Sequence, residues 1–127
     1  MKKNILITGA SSGIGLATAI KFASTKLYRL IICGRRSNRI NQLAEKLIKD
    51  YGVEVCQLSF DVRNYEECEK AIESLSPPFD KIDILLNNAG LALGLDFIQD
   101  GKLEHWNTMI DTNVKGLLFM TQLISRG

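Results

Sequence analysis

Short apolar runs alternate with helical stripes along this chain, and that alternation constrains the fold more than any single residue. Asn4 to Thr8 reads as a strand, and Gly13 to about Lys26 as a helix with Leu16, Ala19, Ile20 and Ala23 on one side. Tyr28 to Cys33 is a second strand. Ile40, Leu43, Ala44, Leu47 and Ile48 then recur at the i, i+3, i+4, i+7, i+8 spacing of an amphipathic helix, with Gly52 placed to end it. Glu54 to Phe60 is a third strand. Asn64 and Glu67 give a capping-box-like start to a helix carrying Cys68, Ala71, Ile72 and Leu75, and Pro77-Pro78 stop it. Ile82 to Leu86 is a fourth strand, and a loop through Gly90, Gly94 and Gly101 leads to a final helical stretch, about Leu103 to Ile124. Strands that alternate with helices in this way form βαβ units and a parallel sheet covered on both faces. Right-handed crossovers then predict an α/β, Rossmann-type doubly wound sheet of about four strands in three αβα layers. No boundary, repeat or low-complexity segment divides residues 1–127.

The 127 residues suffice for one domain with a real core. A net charge of +2 is too small to argue for nucleic acid, and no apolar run approaches the roughly 18 residues of a membrane span. Ile5-Leu6-Ile7 is too short for the apolar core of a signal peptide, so a cytoplasmic protein is expected. Cys33, Cys56 and Cys68 are far apart and form no C-x-x-C, which argues for small core residues rather than metal ligands or a disulfide.

Gly9, Gly13 and Gly15 lie between the first strand and the first helix. This is G-x-x-x-G-x-G rather than G-x-G-x-x-G, but the physics is shared. One glycine permits the tight turn, another lets the backbone approach a pyrophosphate, and the last lets helix and strand pack closely. The helix start offers free N–H groups and a positive dipole end, and Ser11 and Ser12 add hydroxyls. A glycine turn with no ligand is the alternative, and the strand–loop–helix context weighs against it. A Walker-type loop is excluded, because Gly15-Leu16-Ala17 stands where Gly-Lys-Ser/Thr would be needed.

About twenty residues further on, a binder of NAD should carry Asp or Glu at the end of the second strand, to take the ribose 2′-OH. This chain has Cys33-Gly34-Arg35-Arg36. A carboxylate would repel a 2′-phosphate, whereas a guanidinium offers it a planar charge-assisted fork. NADP is therefore the expected cofactor. A solvated helix start is the alternative for the two arginines, but cations there oppose the helix dipole.

Thr8-Gly9-Ala10-Ser11-Ser12-Gly13-Ile14-Gly15, Asp61-Val62, Asn87-Asn88-Ala89-Gly90 and Asn113, in this order, resemble the short-chain dehydrogenase/reductase family over essentially the whole chain. Gly90-Leu91-Ala92-Leu93-Gly94 and Trp106…Met109-Ile110-Asp111-Thr112-Asn113 look most like its NADP-dependent dehydrogenases of serine and other 3-hydroxy acids. The resemblance implies that Asp61 bonds the adenine amino group, that Val62 flanks the ring, and that Asn88, Ala89 and Gly90 line the cofactor along with Gly9, Ser11, Ser12, Gly13, Ile14, Gly15, Arg35 and Arg36. From the residues alone, Asp61 ends an apolar run and needs a partner, and a helix cap is its other reading. Asn87 and Asn88 could instead fix neighbouring loops. Asn113 shares a helical face with Trp106, Ile110, Leu117 and Met120, where an unbonded carboxamide would cost about 1–3 kcal/mol. Its plain reading is a satisfied core asparagine. The resemblance makes it a catalytic helper that holds a water against the active-site lysine. His105, the only histidine, takes no part in family chemistry.

The family's acid/base is a tyrosine with a lysine four residues later, beside a serine that orients the substrate. Tyr28, Tyr51 and Tyr65 are followed at that spacing by Ile32, Val55 and Glu69. The chain is therefore expected to be the cofactor-binding first half of such an enzyme, ending before the Tyr-x-x-x-Lys half and inactive alone. The full-length form is expected to be a homo-oligomer, a dimer or tetramer, acting on a small hydroxy or oxo compound. A non-catalytic NADP-binding module and an inactive gene fragment are the alternatives.

Overall fold

The computed structural model describes residues 2–11, 13–88 and 115–126. Four strands form one sheet in the order β3-β2-β1-β4: β1 (Lys3–Thr8), β2 (Tyr28–Gly34), β3 (Val55–Ser59) and β4 (Ile84–Asn87). All three pairings are parallel, with Ile5 opposite Leu30 and Ile84, and Ile31 opposite Cys56. Helices α1 (Gly13–Thr25), α2 (Ser37–Tyr51), α3 (Tyr65–Glu73) and α4 (Gly116–Arg126) complete the described elements.

The alternation of side chains along a strand explains the two cores. Ile5, Ile7, Leu30 and Ile32 point to one face and pack with Ala19, Ala23, Ile40, Leu43 and Leu47 of α1 and α2. Leu6, Ile31 and Cys33 point to the other and pack with Phe60, Val62, Cys68 and Met120, next to α3 and α4. Ile5, Leu6 and Ile7 are all fully buried, which only a strand covered on both faces allows. Each contributes on the order of 1.5–3 kcal/mol.

Several boundaries move from their sequence expectation for local reasons. Gly52 does end α2, in a left-handed conformation with its N–H on the Ile48 carbonyl. Helix α3 stops at Glu73, ahead of the prolines, because the Ser74 N–H turns back to carbonyls of the last turn and its hydroxyl donates to the Ala71 carbonyl. Strand β4 starts at Ile84 rather than Ile82, since Asp83 is engaged with Asn4. The Asn4 N–H donates to Asp83 Oδ2 at 2.8 Å, and the Asp83 N–H donates to the Asn4 carbonyl. The buried Asn4 carboxamide also donates to the Pro78 and Lys81 carbonyls, both at 2.6 Å. This latch ties the α3–β4 connection to the start of β1.

Among the described residues, no helix is long and apolar enough to cross a membrane. Nor do any three His, Cys, Asp or Glu side chains gather as a metal site among them.

Candidate cofactor site

Parallel strands bring all their carboxyl ends to one edge of the sheet. Strand order reverses between β1 and β4, so Gly9 and Asn88 follow the paired residues Thr8 and Asn87 side by side. This is the crevice where open α/β sheets bind ligands.

Each glycine of the β1–α1 loop has a local reason to lack a side chain. Gly9 and Gly13 have φ of 62° and 59°, a region that side-chain-bearing residues rarely adopt. Among the described residues, a Cβ on Gly13 would meet nothing within 4 Å, so the start of α1 is open on that side. A Cβ on Gly15 would instead overlap the Gly9 carbonyl oxygen and lie 2.7 Å from its carbon. Helix α1 can thus seat directly on its own entry loop. The Ala10 N–H donates to the Cys33 carbonyl at 3.0 Å, which pins the loop to the end of β2. Ile14 is 78% exposed at the mouth of this loop. Ser11 is half-buried, and a Cβ on Gly34 would lie 3.4 Å from its Oγ. Gly34, to which the sequence alone assigned no role, therefore borders Ser11 at the end of β2.

Arg35 and Arg36 are both exposed, and Arg36 occupies the N-cap position of α2 without a side-chain cap bond. No carboxylate stands in the first turn of α2. The first-turn N–H groups and two guanidinium groups together make this helix start electropositive.

After β3 the chain alternates in and out: Phe60 and Val62 are buried, while Asp61 and Arg63 are partly exposed. Asp61 and Arg63 therefore share a side, and the guanidinium closes on the carboxylate. Arg63 Nε lies 3.1 Å and 3.0 Å from the two oxygens, one terminal nitrogen lies 2.7 Å from Oδ2, and the Arg63 backbone N–H donates to Oδ1 at 2.9 Å. Partial burial would raise the Asp61 carboxyl. The Arg63 hydrogen bonds, with the charges of Arg63 and Arg35, outweigh it and hold the carboxyl below its ordinary range. The helix-cap alternative for Asp61 does not hold: Asn64 caps α3, accepting from the Glu67 N–H at 3.1 Å. Glu67 reaches back past the cap to the Asp61 N–H at 3.3 Å. Arg63 and Glu67 were not singled out as site residues from the sequence.

Asn87 donates to Thr121 Oγ1 at 3.3 Å, fixing β4 to α4, and the Asn88 N–H turns back to the Leu86 carbonyl. Ser12, Ala89, Gly90 and Asn113 lie outside the described residues. All three cysteines are free. Burial pushes the Cys33 thiol well up, and burial with the charges of Asp61 and Glu67 pushes Cys68 up to about 11.

A family model described as short chain dehydrogenase matches residues 3–127. The chain is 44% identical over 122 residues to the NADP-dependent 3-hydroxy acid dehydrogenase of Schizosaccharomyces pombe, covering 96% of this chain and 47% of that protein. It is 44% identical over 121 residues to the serine 3-dehydrogenase of Agrobacterium fabrum, covering 95% and 47%. Among solved structures, a closed form of serine dehydrogenase complexed with NADP+ superposes with a TM-score of 0.87 at 39% identity, covering 95% of this chain and 47% of that one. The chain thus spans about half the length of the curated relatives it matches.

Proposed function

The chain belongs to the short-chain dehydrogenase family, and from that premise we propose that it seats NADP(H) for hydride transfer between the nicotinamide and a small hydroxy or oxo compound, such as a 3-hydroxy acid. One observation carries the reading. An open, side-chain-free helix start at Gly13 and an uncapped helix start beside Arg35 and Arg36 follow adjacent strands at one edge of the sheet. The first fits a pyrophosphate, which needs close backbone approach and N–H donors. The second fits a 2′-phosphate, which needs a forked cation.

In this reading the α1 start and Ser11 hold the pyrophosphate, and Arg35 and Arg36 hold the 2′-phosphate. Asp61 accepts from the adenine amino group, while Val62, Ile14 and Asn88 line the base and ring positions. Ser12, Ala89 and Gly90 complete the lining. Bound NADP(H) supplies a hydride donor or acceptor at the nicotinamide. Asn113 is assigned the helper role of holding a water near a lysine. The relatives named for 3-hydroxy acids and serine support a small polar substrate. A homo-oligomeric full-length form belongs to the same reading, supported by Leu118, which is 56% exposed on α4.

Residues 1–127 form the nucleotide-binding domain in this proposal and hold no Tyr-x-x-x-Lys. The 127-residue chain is thus expected to bind NADP(H) and not to oxidise NADPH with any aldehyde or ketone. Calorimetric titration with NADP+ and NAD+ tests the binding. NADP+ should bind with a clear preference, and equal affinity for the two would end the 2′-phosphate assignment. An assay of NADPH consumption tests the second half, and turnover by this chain would refute it.

A further inference from the structure

Arg63 makes four contacts on one carboxylate, and nothing in the pyrophosphate or 2′-phosphate assignments uses it. We propose that Arg63 is a positioning residue for base and phosphate selectivity: it locks the Asp61 carboxylate toward the base with one acceptor site open, and keeps it from pairing with Arg35. This rests on the reading above, in which Asp61 meets the adenine amino group and Arg35 the 2′-phosphate.

The backbone around Asp61 is held from three sides. Phe60 and Val62 are 6% and 7% exposed and anchor the loop in the core. The Asp61 N–H donates to Glu67, and the Asp61 carbonyl accepts from the Asn64 N–H at 3.0 Å. Only the side-chain torsions remain free, and the Arg63 fork takes those. Three N–H groups of Arg63, one from the backbone and two from the guanidinium, fall on the two carboxylate oxygens. The Nε–H is shared between the two oxygens, so three hydrogens meet a carboxylate with about four lone-pair sites, and one more donor can be accepted. The Asp61 side chain is 23% exposed, enough for a ligand group to reach it. An exocyclic amino group is a donor of the right kind, and the hypoxanthine oxygen, an acceptor, is not.

The second consequence is electrostatic. The Arg35 charge already reaches Asp61. Without Arg63, the carboxylate would be an available counter-ion for Arg35 and would compete with a 2′-phosphate. With Arg63 in place, the Asp61–Arg63 pair is neutral as a unit and Arg35 keeps its charge for the ligand.

The test titrates the 127-residue chain and its Arg63→Ala and Arg63→Lys variants with NADP+, NAD+ and nicotinamide hypoxanthine dinucleotide phosphate. The parent chain should favour NADP+ over the hypoxanthine analogue by roughly tenfold or more, as for a lost hydrogen bond to a charged group. Arg63→Ala should flatten that ratio and reduce the preference for NADP+ over NAD+. Arg63→Lys, a point charge without the fork, should restore the phosphate preference more than the base preference. Should circular dichroism show Arg63→Ala unfolded, Arg63→Gln, of similar length and uncharged, serves for the same ratios. Equal loss of affinity for all three nucleotides would reduce Arg63 to a structural part and overturn the inference, as would unchanged ratios. Failure of the parent chain to bind NADP+ at all would instead bring down the cofactor reading, and this inference with it.

Discussion

The loop after β1 and the loop after β3 reach the same edge of the sheet by opposite means. The first works through absence: Gly9, Gly13 and Gly15 clear space and leave the backbone itself as the surface. The second works through crowding: Phe60 and Val62 plug the core, Asp61 and Arg63 clasp each other, and Glu67 holds the backbone N–H. A glycine loop offers N–H groups to any phosphate, so it gives affinity with little selectivity. A locked side chain offers one acceptor in one place, and so discriminates between ligands. In the proposed reading, general and specific recognition are divided between two loops, with the charged β2–α2 turn between them.

The comparison breaks first at Gly15. Gly15→Val would drive a side chain into the Gly9 carbonyl, which backbone cannot yield cheaply. A loss of about 3 kcal/mol or more is expected by urea unfolding, and a midpoint close to the parent's would mean α1 does not need to seat on its loop. The turn between the loops comes next. Arg35→Ala with Arg36→Ala should reduce the NADP+ over NAD+ ratio roughly 10- to 100-fold, with unfolding unchanged because both side chains are exposed. A preserved ratio in titration would move 2′-phosphate selectivity elsewhere.

Gly13→Ala sharpens the contrast. Its Cβ has room, so the cost is conformational alone, about 1–2 kcal/mol for a left-handed alanine. Thermal unfolding should show that modest loss, and a loss as large as at Gly15 would mean the space above Gly13 is not open. The smallest effect belongs to the crowded loop. The Asp61 carboxyl titrates lower in the folded chain than when unfolded, so its contribution is complete above about pH 4 and is lost as pH falls through the lower folded value. Unfolding measured from pH 6 down to pH 2 should lose on the order of 1 kcal/mol or less from this pair. The corresponding acid-dependent component should vanish in Arg63→Ala, and an identical acid limb in that variant would exclude the pair as its source.

Much of the first loop was legible in the sequence, because glycine spacing after an apolar run states a backbone requirement directly. The alternation of strands and helices and the Gly52 cap were legible for the same reason: periodicity and φ preferences are local. The second loop was half legible. Phe60-Asp61-Val62-Arg63 alternates apolar and charged residues, and an extended reading of those four would have put Asp61 and Arg63 on one side. The capping-box pattern at Asn64 and Glu67 instead pointed inward to the helix, and Glu67 in fact reaches past the cap to Asp61. The latch from Asn4 to Asp83 was not legible. It joins residues 79 positions apart in the chain, and only the pairing of β1 with β4 brings them together. It also displaces the start of β4, which hydrophobicity alone put at Ile82.

Gly116 opens α4 with no room to spare: a Cβ there would come within 2.6 Å of Val62 Cγ2. The far side of the loop after β3 is therefore a bearing surface for the helix. Enlarging the residue at 116 would act as a shim, lifting Val62 and tilting the clasp above it. The loop after β3 and the last described helix are for that reason mechanically one part, and neither can be recut without refitting the other.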